Sequence, residues 1–350
     1  MSEHAYYNQA GHGPYETHSI GDLPLEEGGT LRNCTLAYSV HGQLNAARDN
    51  AVLIPTWYTG TSKIMEQIYV GEGHALDPRK YCIVIVNQIG SGLSSSPHNT
   101  PAPFNQARFP KVRIGDDVCA QHRLLTDKLG IDSLALVFGA SMGAQQTYEW
   151  AVRFPDMVKR AAPLAGTARC QPHTALIASV VEDILTSEAA FNGGFYADSA
   201  AMHLAMRRHA KYFALMGWCD LWFKAESWRG LGFSSLEDFL TGFMEAFFLP
   251  MDPNNLLAQL WKWQHGDVAR HTGGDLAAAL GRIKAKVTVM PIETDQLFPP
   301  FMCEEESRLI PNARYRAITS QAGHLALFAV EPSYMPQIDA HLNELLGTAA

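Results

Sequence analysis

The chain has 350 residues, 47% of them hydrophobic, and sets 27 Lys+Arg against 35 Asp+Glu for a formal net charge of -8. That length accommodates one large core plus an insertion, and mild acidity with no run of five basic residues argues against a nucleic-acid partner. The longest apolar runs are strand-sized, so no membrane span is expected.

Residues 1–18 are polar and lack the basic start and apolar stretch of a signal peptide. They read as a loosely held N-terminal arm, with His4, His12 and His18 as packing or solvated residues rather than metal ligands. Cys34, Cys82, Cys119, Cys170, Cys219 and Cys303 form no C-x-x-C pair, and they read as reduced thiols of a cytoplasmic protein. Leu23 to Leu25 and Asn33 to His41 are predicted as an antiparallel pair joined through Gly28-Gly29. Ala51 to Pro55 and Ile83 to Val86 are buried strands. Val112 to Lys128 has helical spacing, with Ile114, Val118, Leu124 and Leu125 on its apolar side. Strands at 134–138 and 158–165 flank a helix at 144–154. Such alternation implies a mainly parallel sheet covered on both faces.

After Gly166 the alternation stops. Residues 168–280 are rich in Met, Phe, Trp and Leu, with helices predicted over 204–218, 236–248 and 255–263. Strands return at 287–292 and 315–318, and a closing helix spans 334–346. The core is therefore expected at 19–167 and 281–350, with the helical segment inserted between its two parts.

Gly139-Ala140-Ser141-Met142-Gly143 fits the G-x-S-x-G elbow and lies on a predicted strand-to-helix turn, which exposes a serine at the top of a sheet. Small residues at 139 and 143 let strand and helix cross closely. A serine hydroxyl needs a base to take its proton and a third group to orient that base. Asp295, after the strand 287–292, fits the acid. His324, in Gln321-Ala322-Gly323-His324-Leu325 after the last strand, fits the base, and Gly323 allows a sharp loop. Ser141 would then attack, His324 would move the proton, and Asp295 would hold the imidazole. The Met142 N–H is one expected oxyanion donor, at the start of the elbow helix. The second is expected from Thr56 to Gly60, with Tyr58 and Trp57 as candidates. The side chains of Trp57 and Tyr58 either line the acyl pocket or only cover the sheet end.

On these residues the chain resembles the homoserine O-acetyltransferase family of the α/β-hydrolase superfamily. Phe109 to Val118, Leu129-Gly130-Ile131, Glu149-Trp150-Ala151, Met251 to Asn255, Thr294 to Pro299 and Gly323-His324 each resemble a family segment. Thr56 to Gly60 stands where the family has His-Ala-Leu-Thr-Gly, which singles out Tyr58 as the donor. The resemblance implies an α/β-hydrolase fold, with 168–280 as a helical lid that builds a homodimer. It also marks two departures. Leu325 replaces the family's aspartate after the histidine, and Met216-Gly217-Trp218-Cys219-Asp220 stands where the family's lid carries an arginine motif.

A zwitterionic acceptor needs paired charges in a dry pocket, so homoserine does not fit. Trp218, Trp222, Phe223, Trp261 and Trp263 suggest an apolar substrate, or else pack the lid itself. The reading is a serine hydrolase of an ester, thioester or related acyl bond in a small, fairly apolar molecule, without cofactor or metal, and with Leu325 beside the substrate. The alternative is an O-acyltransferase that uses acetyl-CoA or another acyl-CoA and an acceptor other than homoserine. A non-enzymatic scaffold would have no need of the ordered Ser, Asp and His.

Overall fold

The computed structural model describes residues 4–349. Residues 1–3 and 350, the outer ends of the expected arm and core, lie outside the described residues. Eight strands form one sheet in the order β1-β2-β4-β3-β5-β6-β7-β8. They are β1 (Glu16–Pro24), β2 (Thr30–His41), β3 (Ala51–Pro55), β4 (Cys82–Val86), β5 (Leu136–Ala140), β6 (Arg160–Leu164), β7 (Lys286–Val289) and β8 (Ala313–Tyr315). The β1–β2 and β2–β4 pairings are antiparallel, and every later pairing is parallel.

The central strands β3, β4 and β5 are buried at every position. Helices cover a parallel sheet on both faces, so its strands become continuous apolar runs rather than alternating ones. The outer β1 is mostly exposed instead, with Ile20 and Leu23 its buried positions, which suits an edge strand. Between Leu164 and Lys286 no strand forms. The chain there is helical, and the helices include Pro172–Thr186, His203–Gly217 and Pro253–Gln264. No helix among the described residues is long and apolar enough to cross a membrane.

Two expectations need correction. The described part of the arm, residues 4–18, is not loosely held. It contains the short helix Gln9–His12 and the start of β1 at Glu16, and Tyr7 and His12 are buried. The Tyr7 ring fills the space above Gly92, where a Cβ would come within 2.2 Å of it. Its hydroxyl accepts the Asp252 N–H at 3.3 Å. A polar composition concealed this because the anchoring comes from a few aromatic rings, Tyr6, Tyr7 and His12 among them, rather than a periodic pattern. Second, the first hairpin is longer than expected, since pairing runs from Glu16↔Tyr38 to Pro24↔Thr30.

Candidate active site

Parallel strands all point one way, so the loops after β3, β5, β7 and β8 gather at one end of the sheet. At the end of β5 the chain turns into the helix Met142–Arg153 through Ser141, whose φ of 55° and ψ of −123° form a strained elbow. Its N–H donates to Leu164 O at 2.9 Å, tying the elbow to β6. Close approach explains the residues around it. A Cβ on Gly139 would lie 2.1 Å from Gly143 O, and one on Gly143 would lie 2.6 Å from Pro55 O. Both obstacles are backbone, so no rotamer change relieves them. Gly139→Ala is expected to cost about 3 kcal/mol or more of stability. Thermal unfolding measures it, and a wild-type midpoint would contradict this account of the elbow.

Asp295 follows β7, and its N–H donates to Ile292 O at 3.0 Å. Its Oδ1 accepts the N–H groups of Leu297 and Phe298 at 2.8 and 3.0 Å, and these bonds fix the carboxylate plane. Thr294 stitches the two loops together. Its hydroxyl donates to Ser320 O at 2.8 Å and accepts the Gly323 N–H at 3.1 Å. Gly323 has a φ of +61°, and a Cβ there would sit 2.6 Å from Gly217 O. Only glycine gives His324 this tight turn.

The structure brings Ser141, His324 and Asp295 into one hydrogen-bonded row. His324 Nδ1 is 2.7 Å from Asp295 Oδ2, and His324 Nε2 is 3.0 Å from Ser141 Oγ. With Nδ1–H donating to the carboxylate, the Nε2 lone pair is left to accept the serine proton. All three are buried, with Ser141 at 6% exposure. The Met142 N–H stands at the first position of the elbow helix, where the helix supplies it no acceptor. Neither it nor the Tyr58 N–H meets an acceptor among the described residues.

The row opens into a cavity of about 30 Å³ lined by Trp57, Tyr58, Leu325, Phe213, Phe248 and Phe328, among other apolar groups. No Asp, Glu, Lys or Arg lines it. Leu325 packs on Gly217, where a Cβ would approach it to 2.8 Å. The lid aromatics named from the sequence are elsewhere, whereas Trp57 and Tyr58 do line the cavity. Trp218 stacks on Trp222 at 4.0 Å within a cluster that includes Phe239, and Phe223 packs edge-on against Trp222. Trp261 stacks on His265, and Trp263 lies behind Tyr58 and Phe298. The cavity takes Phe213, Phe243, Phe247, Phe248 and Phe328 instead.

Sequence reasoning also missed the groups that hold the loop after β3. Thr56 O accepts from Gln88 Nε2 at 2.5 Å and from Gln146 Nε2 at 3.2 Å, and the Thr59 N–H donates to Gln259 Oε1 at 3.0 Å. Beyond the elbow, Glu306 accepts the N–H groups of Ala168 and Arg169, and burial pushes its carboxyl up to about 7.

Residues 52–329 match the family described as the alpha/beta hydrolase fold. The chain is 56% identical to an ethyl acetate hydrolase of Pseudomonas veronii, over 99% of each chain. It superposes on the crystal structure of an acetylester hydrolase from Corynebacterium glutamicum with a TM-score of 0.98 at 52% identity, covering 99% of this chain and 100% of that one. Likeness to a homoserine O-acetyltransferase of Geobacter sulfurreducens is more distant, 30% identical over 91% of this chain and 93% of that one.

Proposed function

Because this chain belongs to the alpha/beta hydrolase fold family, we propose that it is a serine esterase that cleaves small esters of short acyl groups through an acyl-enzyme on Ser141. The observation that carries the reading is the bonded row of Ser141, His324 and Asp295 at the wall of an uncharged cavity of about 30 Å³. Space of that order holds one or two water-sized groups, which favours an acetyl group over longer chains. The names of the P. veronii and C. glutamicum relatives point the same way.

Ser141 Oγ attacks the ester carbonyl as its proton passes to His324 Nε2. Asp295 keeps the imidazole in the tautomer that can accept and stabilises the imidazolium. The carbonyl oxygen becomes an oxyanion, and the N–H groups of Met142 and Tyr58 receive it. Collapse breaks the C–O bond to the alcohol, which leaves with the proton from His324. Water then repeats the sequence on the acyl-Ser141 ester and releases the acid. Leu325 and the uncharged lining disfavour homoserine as acceptor, since its ammonium and carboxylate would be unpaired.

A series of p-nitrophenyl esters tests the acyl preference. Overfilling a packed site costs roughly 1–3 kcal/mol, so kcat/KM is expected to fall at least about fivefold from acetate to hexanoate. A flat series would overturn the short-chain assignment. Acetyl-CoA with small alcohols is the parallel assay, and acceptor-dependent CoA release with negligible ester turnover would establish the acyltransferase in place of the esterase.

A further inference from the structure

The loop that carries Tyr58 is held at Thr56 from the core, by Val86, Gln88 and Gln146, and at Thr59 from the inserted segment. Trp57 to Gly60 form a turn closed by the Gly60 N–H donating to Trp57 O at 3.0 Å, with Thr59 at its third position. Thr59 has a φ of 65°. That slot favours glycine or asparagine, and a β-branched residue there is strained. Such a conformation persists only where its surroundings over-determine it.

Gln259 supplies that constraint. It lies on the helix Pro253–Gln264, is 1% exposed, and its Oε1 accepts the Thr59 N–H at 3.0 Å while its Nε2 donates to Gly90 O at 3.3 Å. One amide thus bridges the turn after β3 and the loop after β4. The helix is itself anchored, because Lys262 donates to Ile89 O at 2.6 Å and to buried Asp117. From the other side, the Tyr58 ring rests between Phe213 and Trp263, and its hydroxyl is 3.4 Å from His209 Nε2.

We propose that Gln259 is a positioning residue for the oxyanion hole: it holds Thr59 in the left-handed conformation and so aims the Tyr58 N–H at the developing charge. The inference rests on the reading of Ser141 as nucleophile and Tyr58 as donor. It makes the inserted helices part of the catalytic scaffold rather than a cover over it.

Gln259→Met keeps the length and burial but presents no oxygen to Thr59. Removing an oxyanion donor outright costs about 10²–10³ in kcat, so misaiming one is expected to cost about ten- to a hundredfold, with KM within about threefold. Affinity for a short trifluoromethyl ketone, whose hemiketal oxygen occupies the hole, should fall by the same factor. Thr59→Gly in the Gln259→Met background is expected to regain at least about fivefold in kcat, because glycine takes a positive φ without strain. A Gln259 that merely tied the helix to the core would show no such rescue. A kcat for Gln259→Met within twofold of wild type, or no recovery in the double variant, overturns the proposal.

The wild-type crystal structure with the ketone bound tests it without relying on a variant. Support is the hemiketal oxygen on the Tyr58 N–H with Gln259 Oε1 still on the Thr59 N–H. If the oxygen is on Tyr58 but Gln259 has left Thr59, this inference alone fails. An oxygen bound elsewhere, or no bond to Ser141, overturns the underlying reading and the inference with it.

Discussion

Ser141→Ala is expected to lower kcat for a short ester by about 10⁶-fold, to the level left by the oxyanion donors and binding alone. The magnitude follows from the hydrogen-bonded row. With Oγ gone, the His324 Nε2 lone pair has no proton to accept, since no other hydroxyl among the described residues lies within bonding distance of it. Asp295→Asn should cost about 10⁴-fold, because the amide can present its N–H to Nδ1 and stabilise the wrong tautomer. The two losses should not multiply, since serine, histidine and aspartate act as one unit. Ester turnover with fluorophosphonate labelling measures both. Labelling that persists in Ser141→Ala would move the nucleophile elsewhere. Folding is not expected to suffer, since the Ser141 hydroxyl bonds only to His324 and the elbow is held by the Ser141 N–H on Leu164.

The elbow was readable in the sequence because sterics prescribe its residues. Gly139 and Gly143 face backbone carbonyls at distances that exclude any Cβ, so the requirement leaves a mark in five consecutive letters. Asp295 and His324 were readable from strand order, since a parallel sheet delivers the loops after its later strands to the same end. The cavity lining was not readable in this way. Phe213 and Phe248 line it while Trp218 and Trp222 stack on one another, yet all four belong to aromatic-rich helical stretches. Only the three-dimensional direction of each helix separates them. Gln259 did leave a signal. Asn255, Gln259 and Lys262 recur at helical spacing and are all buried, so the helix carries a polar stripe facing inward. A polar stripe on a covered face has to bond to something, and here it bonds to the loops beneath the catalytic site. Tyr7 left no local signal, because the matching feature is Gly92, far along the chain.

Lys262→Met is expected to destabilise the protein by about 3–5 kcal/mol, the usual cost of stranding one member of a buried ion pair. Lys262 is 1% exposed and Asp117 0%. Asp117 also accepts the Ile89 N–H at 2.7 Å, so the lysine, the carboxylate and the loop after β4 form one closed group. Burial already raises the Asp117 carboxyl above its ordinary value, and the Lys262 ammonium opposes that rise. Without the ammonium the carboxyl must rise further. A carboxyl with a raised folded-state pKa binds protons more readily in the folded state than in the unfolded one, so stability falls as pH climbs above the unfolded value of about 4. The deficit of Lys262→Met should therefore be small in acid and largest near neutrality. Denaturant unfolding between pH 5 and 8 measures it. Asp117→Asn with Lys262→Met should recover much of the loss, because it removes both charges while the Asn oxygen still accepts from Ile89. A deficit that does not vary with pH, or a double variant as unstable as the single one, would show that the stranded charge is not its cause. Because Gln259 lies three residues before Lys262 on the same helix, any loosening of this anchor should also reduce kcat at pH values where the variant remains folded.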